Sequence, residues 1–268
     1  MHVNYPAFGI SVDLDDLEKS KSIFKLKDIY KDIPDTKCNH CPLKKGVEAD
    51  CCKTFSPPMN LVEFLNILKH NTYSKEQKID LICECIKSYL NPNYIKPCLL
   101  LKNNQCSVYE QRPFSCRMFG LYTQDEWNSR LESISVQLDV EKQEVPFFCQ
   151  CKGIEVTGKK SKISKKESDE SFKKIHELDL DFFNDLFQGR QMVYSSITYM
   201  PFDAHFLSIF IPVDEIENLA TTKLMHREKI KKFKNKEISK KELDIFENNI
   251  KDYTENLCVT IRESFTNE

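Results

Sequence analysis

The sequence predicts a mainly α-helical protein with irregular cysteine-rich loops around a metal centre and an α-helical C-terminal part. Three observations carry this. Apolar residues recur at helical spacing in two segments between residues 60 and 90 and in two more from residue 172 onward. The stretch 92–120 is dense in Pro, Asn and Cys, with only short apolar runs such as "CLLL", which suits loops wrapped around a bound centre. The chain holds twelve cysteines, nine of them between Cys38 and Cys116, above ordinary usage yet below the density of a small disulfide scaffold.

At 268 residues the chain is long enough for one large domain or two modest ones with a real core. Its 39 basic and 41 acidic residues nearly cancel, so no global field draws in nucleic acid or an anionic membrane. No segment approaches the roughly eighteen continuous apolar residues of a membrane span. The N-terminal "MHVNYPAFGISVDLDDLEK" has neither the basic start nor the apolar run of a secretion signal. A cytoplasmic protein is expected. Disulfides would be reduced there, so clustered cysteines point to metal binding or redox work.

Taken in order, the first 36 residues end in "IYKDIPDTK", and a short helix or strand is expected before Pro34 and Asp35 punctuate the chain. "NLVEFLNILKHN" sets Leu61, Phe64, Leu65 and Leu68 at helical spacing behind an Asn cap. "SKEQKIDLICECIKSYL" repeats the pattern with Ile79, Ile82, Cys83, Ile86 and Leu90, and a further helix is expected around Trp127. Residues 156–171 are polar and charged and read as a linker or exposed loop. They divide a cysteine-cluster domain over 1–155 from a mainly helical region over 172–268. Within that region "SSITYMPFDAHFLSIFIPVDEI" is apolar but ambiguous as to element.

The candidate ligands form an ordered set: Cys38 and Cys41 as a CxxC, the adjacent Cys51 and Cys52, then Cys98, Cys106 and Cys116, and finally Cys149 and Cys151. Two residues between thiols let the backbone turn so that both reach one centre, the usual first half of a zinc or iron–sulfur site. Adjacent cysteines rarely point the same way, so Cys51 and Cys52 serve different centres or redox exchange. Nine thiols fill two four-thiolate sites or one cluster with spare cysteines, and spacing leaves both open. Four thiolates around Zn²⁺ or a [4Fe–4S]²⁺ cluster leave a net charge of about −2, costly inside a protein unless donors and cations face it. In "YEQRPFSCRMFG" (109–120) Arg112 and Arg117 flank Cys116 and supply that charge. Pro113 stiffens the turn, and Tyr109 packs over the site. The alternative is a surface loop with one buried structural cysteine.

These residues carry a family resemblance. The order "CNHC…CC", then "C…CSVYEQRPFSCRMFG", then "CQCKG" resembles the YkgJ-like cysteine-cluster proteins, described as zinc- or iron-chelating domains. Their pattern runs C-x2-C…CC, then C…C-x2-Y-x2-RP-x2-CR-x-[FY]. The similarity covers roughly residues 36–155. The nine residues between Cys41 and Cys51 exceed the compact spacing of the family, and "CKG" favours Cys151 over Cys149 as the last ligand. The resemblance implies a metal centre more directly than a reaction. Flagellin lysine N-methylases combine a similar cysteine set with methyl transfer, but this chain has only six glycines and no glycine-rich loop for S-adenosylmethionine. Nor does it have the CxxxCxxC run of radical S-adenosylmethionine enzymes.

Three cysteines fall outside the ligand set. Cys83 lies on the apolar face of its helix, Cys85 beside it, and Cys258 in "NLCVTI" reads as a small buried hydrophobe. His40 within the CxxC is expected at the surface, and His205 in "PFDAHFLSIF" is expected in an aromatic core. The lysine runs near 159–166 and 229–241 read as solvated surface, since acidic residues interrupt them. The combined expectation is an iron–sulfur or zinc protein, with iron–sulfur preferred. It serves electron transfer, as an oxidoreductase, or cluster-dependent protein modification, and the helical C-terminal part recognises a partner protein. The alternatives are a non-enzymatic binding module stapled by zinc and a protein lysine N-methylase.

Overall fold

The structure is a computed structural model. It describes residues 2–5, 10–15, 21–36, 50–54, 56–71, 73–93, 96–103, 105–145, 156–157, 161–187 and 199–266. Among these residues the protein is mainly α-helical, and its strands occur only in short two-stranded pairings. The chain opens with β1 (His2–Tyr5) and β2 (Ile10–Asp13) and runs on to divide into two compact units.

The first unit takes most of residues 10–71 and 94–202. Its elements are α1 (Ser22–Lys31), β3 (Asp35–Thr36), α2 (Asp50–Thr54), β4 (Pro58–Met59), α3 (Leu61–His70), β5 (Leu101–Lys102) and β6 (Gln105–Cys106). A 3-10 turn at Tyr109–Gln111 leads into α5 (Phe114–Arg117), α6 (Gln124–Leu138), β7 (Val156–Thr157), α7 (Lys165–Phe187) and β8 (Met200–Pro201). The numbering leaves α4 (Lys75–Leu90) to the second unit.

Helix α3 is the centre of this unit. Leu61 through Leu68 are buried on every side of the helix, so it lacks the polar face of a surface helix. It packs against α1 and α7, which also pack on each other. Helix α1 contributes the stripe Ile23, Leu26 and Tyr30. Phe202 meets Phe64 edge to face at 5.6 Å. The start of α3 is capped from far along the chain: Leu61 and Val62 donate their N–H groups to Asp179 of α7 at 3.2 and 2.7 Å. Such a buried carboxylate both satisfies orphan donors and complements the positive helix end.

Residues 156–157 and 161–171, within the segment expected as a linker or exposed loop, belong to this unit. Val156 and Thr157 pair antiparallel with Thr36 and Asp35, and Lys165 begins α7 behind a Ser164–Glu167 capping box. The polarity there is that of a capped helix start: Ile163 and Ser168 turn inward while the charged side chains face water.

The second unit joins residues 72–93 to 203–268. Helix α4 packs with α9 (Val213–Lys234) and α10 (Lys240–Thr266) in a helical bundle, preceded by α8 (Phe202–Phe210), which makes the middle of the ambiguous apolar stretch helical after the short strand β8, while residues 195–198 of it lie outside the described residues. The division at 155 and 172 is therefore not the one the fold makes. The stripe Ile79, Ile82, Cys83, Ile86 and Leu90 of α4 is buried, and its packing partners are C-terminal helices rather than the cysteine loops. Ser88 donates to Asp203 at 2.8 Å and Arg262 to Asp80 at 2.7 Å. Cys83, Cys85 and Cys258 are buried here, as is His205. Burial and a hydrogen bond with Cys83 push the Cys258 thiol up to about 12.

Candidate functional site

Five of the nine candidate ligands fall within the described residues, and the first unit brings all five into one neighbourhood. Helix α2 presents Cys51 and Cys52, both half-buried. The Cys98 N–H donates to the Cys52 carbonyl at 2.7 Å and the Lys96 N–H to Thr54 at 3.2 Å, so the loop carrying Cys98 lies alongside α2. A turn closed by Leu101 N–H to Cys98 O, at 3.1 Å, leads into the β5–β6 hairpin. Its register sets Cys106 opposite Leu101. Asn103 takes the left-handed conformation, φ 50°, which asparagine tolerates in tight turns. Beyond Pro113, α5 carries Cys116, whose N–H donates to the Pro113 carbonyl at 3.0 Å.

The electrostatics of the thiols record this grouping. Burial holds the Cys116 thiol well above the ordinary cysteine range, Cys98, Cys51 and Cys106 each raise it further, and the nearby Arg112 opposes them. Cys52 is raised by its hydrogen bond with Cys51, by burial, and by Cys116 and Cys98. Thiols so placed resist ionising together, because each thiolate repels the next in a low dielectric. A bound cation reverses that balance, since thiolate ligands lose their protons to the metal. Among the described residues, no group of three or more His, Cys, Asp or Glu side chains is drawn together tightly enough to hold a metal ion. Thiols are the donors at hand, but among the described residues their side chains do not stand at ligand positions.

The loop 109–117 is fixed by contacts that the sequence did not reveal. Arg112, only 3% exposed, donates to Asp35 and to the Thr36 carbonyl, the latter at 3.4 Å from each terminal nitrogen. Its guanidinium lies 4.2 Å from the Tyr109 ring centre, and the Tyr109 hydroxyl also donates to Thr36 O. Arg117 donates to the carbonyls of Arg112 at 3.0 Å and Glu110 at 2.6 Å, and stacks over Tyr30 at 4.2 Å. The two arginines thus brace the loop through carbonyls and Asp35. Arg112 adds a favourable charge near Cys116, and Tyr109 anchors to β3.

Glu63 of α3 completes the support. It is 1% exposed and accepts from the N–H of Phe114 at 2.6 Å, the N–H of Asn60 at 2.9 Å and the hydroxyl of Tyr30. Phe114 is the first residue of α5, so a carboxylate of the central helix positions the turn that presents Cys116. The Asn60-x-x-Glu63 spacing is a visible capping signal in the sequence. Its reach to Phe114, 51 residues away, is not.

Cys38, Cys41, Cys149 and Cys151 lie outside the described residues, as does His40. Their flanks are described. Thr36 stands two residues before Cys38 and Val156 five after Cys151. The β3–β7 register pairs Thr36 with Val156, with Tyr109 and Arg112 bonded to that same Thr36. No family model matches the chain, and no curated protein or solved structure matches it either.

Proposed function

We propose that this protein is a cysteine-cluster metal protein in which Cys51, Cys98, Cys106 and Cys116 hold an iron–sulfur cluster, serving electron transfer or cluster-dependent modification of a partner protein. The carrying observation is that one unit places these cysteines on adjoining short elements, the Cys98 N–H bonding the Cys52 carbonyl beside α2 and the turn after Cys98 leading into the hairpin that bears Cys106; the upward push that Cys98, Cys51 and Cys106 give the Cys116 thiol agrees with it. Four soft thiolates suit iron–sulfur or zinc. The buried Arg112 guanidinium offsets part of the negative charge such a set carries. A bound cluster supplies one-electron chemistry. The chain's own residues position the ligands: Glu63 sets α5, Arg112 and Tyr109 hold the loop to β3, and the Cys98 N–H ties its loop to α2. The likeness to YkgJ-like cysteine-cluster proteins supports the same reading.

Zinc acting as a staple is the second reading, favoured by the shortness of β5, β6 and α5, elements too small to hold their place alone. Metal and acid-labile sulfide analysis with a visible spectrum, on protein purified without oxygen, separates the two. Iron and sulfide in near-equal amounts, with a brown band bleached by dithionite, is the expected result. Zinc without sulfide or colour replaces the first reading by the second. Cys116→Ser is expected to lose most of the metal, and unchanged metal content in that variant overturns both.

A further inference from the structure

A cavity lies against the helix that carries Cys116. With a volume of about 470 Å³, it opens between α5, α6 and α7, lined by Phe114, Phe119, Tyr122, Trp127, Phe172 and Tyr199, with Arg130, Ser168 and Asp169 as its polar groups. That volume falls in the range of about 300–1,000 Å³ typical of small-molecule sites, which are apolar with a few placed polar groups. The rings form two clusters: Phe172 meets Tyr199 edge to face at 5.1 Å, and Phe119 meets Trp127 at 5.4 Å. Their flat faces and edges suit an aromatic ring.

The polar groups determine what else the occupant carries. Arg130 lies over the Tyr122 ring at 4.2 Å, which holds its guanidinium plane in the wall. Its Nε is buried without a hydrogen-bond partner among the described residues. One terminal nitrogen donates to Asp169 at 3.2 Å, but that carboxylate side chain is 56% exposed, and such surface pairs hold weakly. Ser168, itself buried, sits 3.5 Å from the same nitrogen and 2.7 Å from the Tyr122 hydroxyl. A guanidinium carries five N–H donors in a planar fork, more than the contacts of one terminal nitrogen with Asp169 and Ser168 use, and with its side chain 31% exposed its terminal nitrogens can donate to a ligand carboxylate through a charge-assisted bond. A cationic ligand is disfavoured by the Arg130 charge, which covers the Tyr122 face and pairs with Asp169, the one carboxylate among the described residues of the lining.

We infer that this cavity binds a small aromatic carboxylate, its ring among Phe119, Trp127, Phe172 and Tyr199 and its carboxylate on Arg130. The inference does not depend on what the cysteines hold. The ligand lies beside Phe114 and Ser115, the two residues that precede Cys116 on the same helix.

Trp127 is the single tryptophan of the chain, so intrinsic fluorescence of the full-length protein reports on this cavity. The probes are 3-phenylpropionate, its neutral amide, and phenethylamine. The acid is expected to give a saturable Trp127 change, with the amide weaker by at least about tenfold and the amine weaker still. Arg130→Met is expected to bring acid binding down to the amide level and leave amide binding unchanged. No saturable change up to about 10 mM, equal binding of acid and amide, or undiminished acid binding in a folded Arg130→Met overturns the inference. If that variant does not fold, the acid–amide contrast on the unaltered protein decides it. Metal and sulfide content, measured separately, tests the cysteine reading without touching this one.

Discussion

At the scale of single residues, Glu63 is the side chain on which most converges. Burial raises its carboxyl above the ordinary range, although hydrogen bonds from Tyr30, Asn60 and Phe114 oppose the shift. The folded protein therefore holds this proton more tightly than the unfolded chain does. Its contribution to stability is full below the ordinary carboxylate range and is lost as pH rises through the raised folded value. Urea unfolding of the unaltered protein is expected to show that decline, and Glu63→Gln to remove it, at a cost of about 1–3 kcal/mol for disturbed buried hydrogen bonds. A variant with the same pH slope as the parent would show that Glu63 is not the titrating group. Arg112→Lys is expected to cost a similar amount, about 1–3 kcal/mol, because an ammonium cannot present a planar fork to Asp35 and Thr36 together. An unchanged urea midpoint would mean that the loop does not depend on that fork.

Among the elements, two helix starts depend on carboxylates supplied from elsewhere. Asp179 of α7 accepts from the first two N–H groups of α3, while Glu126 of α6 accepts both from Thr123 at its own cap and from Lys165 at the start of α7. Asp179→Asn keeps one acceptor and turns the other into a donor facing a donor. It is expected to lower stability by about 1–3 kcal/mol by urea unfolding. Glu126→Ala removes a cap from two helices at once, with an expected loss of about 1–2 kcal/mol. The Lys165 and Thr123 N–H groups hold its carboxyl below the usual range. Its contribution is therefore present above the ordinary carboxylate range and fades as pH falls through the lower folded value. If the Glu126→Ala penalty were the same at low and neutral pH, the capping role would be lost.

For the whole molecule, the division into two units sets where the proposed metal centre would matter. The five described candidate ligands lie in the first unit, and the buried cysteines Cys83, Cys85 and Cys258 lie in the second. Removal of metal by a chelator is therefore expected to raise amide hydrogen exchange in the loops and short elements over 96–118. Helices α4, α9 and α10 keep their protection, because a helical bundle rests on its own apolar contacts. Equal loss of protection in 75–90 and 213–266 would show that the centre supports the entire chain.

The helices α3, α4, α7 and α10 were legible from apolar spacing, since a helix of ten or more residues reports its buried face along its own sequence. The number and order of the cysteines could likewise be read from the chain, because they are a property of residue type, whereas what they hold could not. Tertiary structure alone decided that α4 belongs with the C-terminal helices, since a buried stripe shows that it needs a partner without naming one. It alone revealed Glu63 beneath α5, Asp179 at the start of α3, and the bracing of Arg112 on Thr36. Each of these joins residues more than fifty positions apart. Nothing in local sequence records a hydrogen bond whose two ends meet only after the chain has packed, because its geometry is set by neighbours rather than by spacing.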